Sequence, residues 1–172
     1  QDYRDVQGTF DHVVSFGMFE HVGYKNYRTY MEMVRRVLKQ AGFFLLHTIG
    51  SNESVTNSDA WITKYIFTNS MLPSVAQIGK SVEGLFVMED WHNFSADYDP
   101  TLMAWYKNFE ASWLWLAEVR AHEGGTKYSE RFHRMWRYYL LSCAGMFRAR
   151  KNRLWQIVLS PRGVPGGYQS IR

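Results

Sequence analysis

Cysteine is nearly absent: Cys143 is the one example in 172 residues. An internal disulfide and a cysteine-based zinc site are thereby excluded, and a reducing, cytoplasmic compartment is expected. Long apolar runs are missing too. The longest, such as GFFLL at Gly42–Leu46, fall far short of the ~20 residues that cross a bilayer. The opening QDYRDVQGTF has no apolar signal-peptide core, so the chain is expected to be soluble and not exported by itself. Absent as well are a G-x-G-x-x-G loop, an H-E-x-x-H pair and a G-x-S-x-G elbow, which removes the sequence signatures of a dinucleotide loop, a zincin and a serine hydrolase. Metal chemistry would fall to histidines and carboxylates, and no metal site is expected. There are no repeats and no low-complexity segment.

What is present describes a folded domain or part of one: 46% hydrophobic and 17% aromatic residues, with 20 basic against 16 acidic. The basic residues cluster only from Arg131 to Arg153. On a helix such a cluster meets nucleic-acid phosphates, meets anionic lipid, or forms a solvated face; the last is commonest, and no nucleic-acid partner is expected. Seven Trp, eleven Tyr and eleven Phe suit an apolar ligand channel, although aromatic cores without a ligand are more frequent.

Residues Phe10–Val14 alternate and read as a strand ending at Ser15–Gly17. Tyr27, Tyr30, Met31, Val34 and Leu38 recur at helical steps across Lys25–Lys39, and Gln40–Gly42 is expected to end that helix with a C-cap glycine. Gly42–Gly50 reads as a strand buried on both faces, as in parallel sheets. A loop at Ser51–Ser58 precedes a short helix at Trp61–Phe67. Ser74 and Gln77 form a capping-box pair for a helix to about Glu83, and Leu85–Trp91 reads as a strand. Asp99 and Pro100 are expected as N-cap and first-turn proline of a long helix to about Ala121. Glu123–Ser129 breaks the chain, a second long helix spans Ser129–Arg148, and Leu154–Ser160 reads as the last strand. The fold class is therefore α/β: about four strands and four or five helices, two of them inserted before the last strand. As a doubly wound sheet it is incomplete, which suggests the C-terminal portion of a larger protein.

Sites of open α/β sheets lie beyond the carboxyl ends of the strands. Glu20 follows the first strand and His47 ends the second, so adjacent strands bring both to one rim, where they would bind a small polar ion or shuttle a proton. Glu20 serves equally well as a cap for the next helix, and His47 as a hydrogen-bonded core histidine. Tyr106 shares a face with Leu102 and Phe109, so packing is its default role. His21 and His92 read as structural or surface histidines, and Cys143 as packing.

At FDHVVSFGMFEHVGYKNY (Phe10–Tyr27), LLHTIGS (Leu45–Ser51), FVMEDWHNFSADYDPTLMAWY (Phe86–Tyr106) and YYLLSCAGMFRAR (Tyr138–Arg150), the chain closely resembles bacterial cyclopropane-fatty-acyl-phospholipid synthases. The resemblance spans nearly the whole chain. It implies a Rossmann-like, S-adenosylmethionine-dependent methyltransferase fold, a seven-stranded sheet of which residues 1–172 hold about four strands plus lipid-facing helices. In that family the cis alkene of a phospholipid acyl chain attacks the sulfonium methyl group, and loss of a proton to bound bicarbonate closes the ring. The family's bicarbonate ligands match Glu20, His47, Ile49 and Tyr106 here. Asp2 and Tyr3 match the adenine contact, and Phe16 and Gly17 border the methionine part.

The resemblance also implies a membrane phospholipid as partner, peripheral contact at the inner face of the cytoplasmic membrane, and a homodimer as an open possibility. Trp61–Leu72 has the composition to dock at an interface, or simply to pack in a core; Arg131, Arg134, Arg137, Arg148, Arg150 and Lys151 would assist on an anionic surface. The cofactor loop, its ribose-binding acid and the ion-binding cysteine should lie before Gln1, so this chain alone is expected to be inactive. Two other readings stay open: a lipid or amine methyltransferase that closes no ring, and a non-catalytic lipid-binding module.

Overall fold

A computed structural model describes residues 1–122 and 128–171. The chain divides into two units, Gln1–Phe94 with Asn152–Arg172, and Ser95–Lys151.

The first unit is a four-stranded sheet with helices. β1 (Phe10–Phe16) leads through α1 (Phe19–Val22) and a 3-10 turn at Tyr24–Asn26 into α2 (Tyr27–Val37), then β2 (Leu38–Ser51), α3 (Ala60–Tyr65), α4 (Val75–Val82), β3 (Val87–Asn93) and, after the second unit, β4 (Asn152–Ser160). The strand order is β1-β2-β4-β3. β1 and β2 are parallel, while β4 runs antiparallel to both β2 and β3. β1, β2 and β3 therefore point the same way and share a carboxyl-end rim.

The apolar stripe read in α2 is its buried face. Tyr27, Tyr30, Met31 and Val34 pack with Phe44 and Leu46 of β2, Ile157 and Leu159 of β4, and Ile78 and Val82 of α4 in one core. Truncating a fully buried member such as Leu46 to Ala would cost ~2–5 kcal/mol. The capping box of α4 is present in both halves: Ser74 Oγ accepts from Gln77 N–H at 3.1 Å, and Gln77 Oε1 accepts from Ser74 N–H at 2.9 Å.

Two expectations for this unit need correction. α2 ends at Val37 and β2 begins at once at Leu38, so Gly42 is a strand residue and not a helix cap. A Cβ at Gly42 would run into the Asp11 carbonyl and Leu38 Cδ1; the glycine lets β2 approach β1 closely where the register shifts between Phe10 and His12. β2 also has unequal faces. Phe44, Leu46 and Thr48 are buried, whereas Phe43, Leu45, His47 and Ile49 are half-buried, and its neighbour β4 is antiparallel, so the pattern of a fully parallel sheet does not hold.

The second unit is a hairpin of α5 (Ser95–His122) and α6 (Glu130–Arg148). Ser129 caps α6, its hydroxyl accepting from Phe132 N–H. The expected break at Glu123–Ser129 lies, over residues 123–127, outside the described residues. α5 starts earlier than expected: Ser95 is already helical and Pro100 sits inside the helix, where its missing N–H gives up one backbone bond. Asp99 is therefore no N-cap. Its two oxygens take Arg148 Nε and Nη2 at 2.9 and 3.0 Å, a bidentate pair tying α5 to the end of α6. Phe109 and Trp113 of α5 pack on Phe132, His133 and Trp136 of α6. Among the described residues no helix is long and apolar enough to cross a membrane.

Candidate functional site

β1 ends in a tight turn. Gly17 has a φ of 62°, a region that favours glycine, and its N–H donates to the His47 carbonyl at 3.1 Å. The turn sends the chain into α1, which carries Glu20 back against β2. There Glu20 Oε1 accepts from the Ile49 N–H at 2.7 Å, while the Glu20 backbone carbonyl accepts from Met71 N–H at 2.8 Å. Strand order placed Glu20 and His47 on one rim and the resemblance added Ile49; the sheet unit ties Glu20 to Ile49, two residues along β2 from His47.

The chemistry of Glu20 is set by what it lacks. The residue is 7% exposed, and its Oε2 is buried without a hydrogen-bond partner. Burial pushes its pKa up, opposed by the Ile49 N–H, its own backbone and the Thr48 hydroxyl. The Tyr27 hydroxyl is likewise buried and unpartnered; burial and the Glu20 charge both push its pKa up. The Ile49 N–H serves Glu20 here, which leaves Glu20 Oε2 as a buried polar atom without a partner.

His47 lies opposite Phe16 in the β1–β2 register, and the two rings stack at 3.9 Å and 13°. Burial lowers its pKa, so the imidazole is neutral near pH 7. Its Nδ1 lies 3.2 Å from Gln156 Nε2 on β4. Phe94 adds a ring 6.4 Å away. Phe16 is 70% exposed, leaving one ring face open. A neutral imidazole, a carboxyl group with a free oxygen and an open aromatic face suit a small oxyanion beside a cationic reactant.

The other expected site residues have surroundings of their own. Asp2 caps the 3-10 turn Tyr3–Asp5 and is held by Arg4, whose Nε and Nη2 donate to it at 3.0 and 2.8 Å; that hydrogen-bonded guanidinium pulls the Asp2 pKa down to about 2. Tyr3 packs edge-on against Tyr30 at 5.2 Å. Tyr106 belongs to the hairpin unit, where Arg137 Nη2 donates to its hydroxyl at 3.5 Å. Cys143 is partly buried, which pushes its thiol up to about 11, the behaviour of a packing residue. Phe67 in the Trp61–Leu72 segment is 41% exposed while Met71 is buried, so that segment shows apolar surface and also contributes to packing. Gln156 was missed: an amide in an apolar strand carries no signal until its register with His47 is known.

A family model described as mycolic acid cyclopropane synthetase matches residues 1–157. The chain is 59% identical over 172 residues to a cyclopropane-fatty-acyl-phospholipid synthase of Escherichia coli (strain K12), covering 100% of this chain and 43% of that protein. It thus spans less than half of that relative's length. A cyclopropane synthase structure from Mycobacterium tuberculosis superposes with a TM-score of 0.77 at 22% identity, over 91% of this chain and 57% of that one. A mycolic acid cyclopropane synthase complexed with SAH and CTAB gives 0.76 at 24% identity, with the same two coverages, 91% and 57%. These likenesses show a shared Rossmann-like α/β fold, part of which is the four-stranded sheet described above.

Proposed function

The chain belongs to the mycolic acid cyclopropane synthetase family, and from that premise we propose that its protein is an S-adenosylmethionine-dependent cyclopropane synthase acting on cis double bonds of phospholipid acyl chains. In this reading S-adenosylmethionine, when bound, supplies an electrophilic methyl group and bicarbonate supplies a base. The observation that carries the reading is Glu20: buried, fixed by the Ile49 N–H at 2.7 Å, and left with one uncommitted oxygen. Two anions side by side would repel. A carboxyl group whose pKa is raised by burial keeps its proton more readily and can donate from Oε2 to an oxyanion. His47 offers a ring N–H to the same ion, and Tyr106 is the proposed phenol of the set. Phe16 and Gly17 line the methionine side, with Asp2 and Tyr3 toward the adenine. The open face of Phe16 stabilises positive charge without offering a nucleophile that would trap it.

Contact with the membrane is proposed to be peripheral, at its inner face, through Trp61–Leu72 and the basic residues of α6. Arg131, Arg134, Arg137 and Arg148 of that helix are exposed, as are Arg150 and Lys151 just after it, and each would contribute up to ~1 kcal/mol on an anionic surface.

The test is product formation by the natural full-length protein on vesicles of unsaturated phospholipid with labelled S-adenosylmethionine. Cyclopropane product is expected, falling at least tenfold when bicarbonate is stripped from the buffer and returning when it is restored. Methylated, ring-free product would move the assignment to an alkene methyltransferase. Vesicle binding with no transfer would move it to a lipid-binding module.

A further inference from the structure

The half-buried face of the sheet carries one cross-strand row that is aromatic on β1 and polar on the other three strands. Phe16 pairs with His47, His47 with Gln156, and Gln156 with His92. On β4 this face otherwise presents Leu154 and Val158, both buried. An aliphatic residue at 156 would continue that surface, so packing alone does not ask for an amide there.

The amide has a specific partner. Gln156 Nε2 lies 3.2 Å from His47 Nδ1, and an amide nitrogen can only donate. His47 Nδ1 is then an acceptor, and its single proton resides on Nε2. Phe16 stacked at 3.9 Å fixes the ring plane from one side, and the strand register holds the backbone. Together the two neighbours define which ring nitrogen carries a hydrogen and where it points.

We propose that Gln156 is a positioning residue that locks His47 in its Nε2–H tautomer, so that a neutral imidazole presents a donor to the anion held beside Glu20. The inference rests on the reading of His47 given above, although the tautomer itself is independent of that reading. A histidine that serves an anion must donate; in the other tautomer Nε2 would be a bare lone pair facing negative charge. The lowered pKa of His47 means that imidazolium does not supply the donor instead. Fixing the proton through the second nitrogen is the same device by which outer partners orient metal-binding histidines.

The experiment is a long-range proton–nitrogen correlation spectrum of the full-length protein labelled with nitrogen-15 histidine, the His47 signals being identified by their loss in His47→Gln. The wild type should show protonated Nε2 and bare Nδ1. Gln156→Glu keeps size and shape but can only accept, so it should move the proton to Nδ1 or charge the ring. Gln156→Leu should leave a mixture of tautomers. In both variants kcat should fall roughly tenfold to a hundredfold while KM for phospholipid stays within about twofold; a merely structural residue would leave the tautomer unchanged. A wild-type His47 protonated on Nδ1, or a spectrum unaltered by both substitutions, overturns the proposal. If the spectra behave as expected but His47→Gln retains full turnover, the positioning stands and the catalytic reading of His47 falls.

Discussion

Two glutamates, one in each unit, are treated in opposite ways. Glu20 in the sheet unit is buried, with one oxygen bound to a backbone N–H and the other without a partner. Glu110 in the hairpin unit is better exposed, yet its Oε1 meets both His133 Nε2 at 2.9 Å and Arg137 Nε at 3.4 Å. A buried polar atom left unpaired costs ~1–3 kcal/mol, and such a cost persists where something other than stability uses the atom. The hairpin glutamate has its partners and holds two helices together. The side-chain type is the same, so the difference in satisfaction is what would separate a working carboxyl group from a structural one.

The sharpest way to break this contrast is Glu20→Gln. Turnover of the full-length protein should fall by ~10²–10³-fold, the range for losing one preorganised group that holds reacting charge, while the fold should gain stability. The sign follows from the raised pKa. The folded state holds the Glu20 proton more tightly than the unfolded chain does, so this group's contribution to stability is full below the unfolded value, near ~4.3, and is lost as pH rises through the folded value. Thermal melts should therefore show little difference between Glu20→Gln and the parent near pH 4. The variant's advantage should grow toward pH 8, reaching ~1–3 kcal/mol. A variant that melts lower than the parent at pH 8 would mean that Glu20 is a structural group after all.

A second test separates two phenols of the hairpin. Tyr106 was chosen from resemblance, and its hydroxyl is engaged by Arg137. Tyr98, four residues beyond Phe94, packs on Phe147 at 4.8 Å and Trp105 at 5.8 Å. Eight helical residues put the two about 12 Å apart along α5. Removing the hydroxyl that serves the ion should cost ~1.5–3 kcal/mol, the worth of a hydrogen bond to a charged group, or about ten- to a hundredfold in turnover. Tyr106→Phe is expected to show that loss. If Tyr98→Phe shows it and Tyr106→Phe does not, the phenol is Tyr98 and Tyr106 belongs to the packing of the hairpin.

The same contrast explains what was legible in the sequence. Strand β1, the apolar stripe of α2, the capping box at Ser74 and the paired helices before β4 all follow from residues within a few positions of one another. Readings failed where a local signal had a distant cause. Gly42 looked like a cap but answers to the Asp11 carbonyl across the sheet. Asp99 and Pro100 looked like a helix start, but Asp99 answers to Arg148. At the candidate site, strand order made it readable that Glu20 follows β1, whereas β2 runs on to Ser51, four residues past the His47 expected at its end. The bond from Ile49 to Glu20 and the pairing of Gln156 with His47 span 29 and 109 residues, and nothing in local pattern foretells either.

The smallest expected effect is the control. Glu110→Gln keeps the shape of the side chain and one acceptor, so His133 and Arg137 retain a hydrogen-bond partner but lose a charge. The pair to Arg137 is largely solvent-exposed, with side-chain exposures of 44% and 31%, and exposed pairs contribute ~0.2–1 kcal/mol. The melting temperature should drop by an amount matching that range at low salt, and the drop should shrink as salt screens the attraction. Turnover should stay within about twofold of the parent. A loss of turnover as large as that of Glu20→Gln, without a matching loss of stability, would place Glu110 among the working groups and remove the distinction between the two carboxylates.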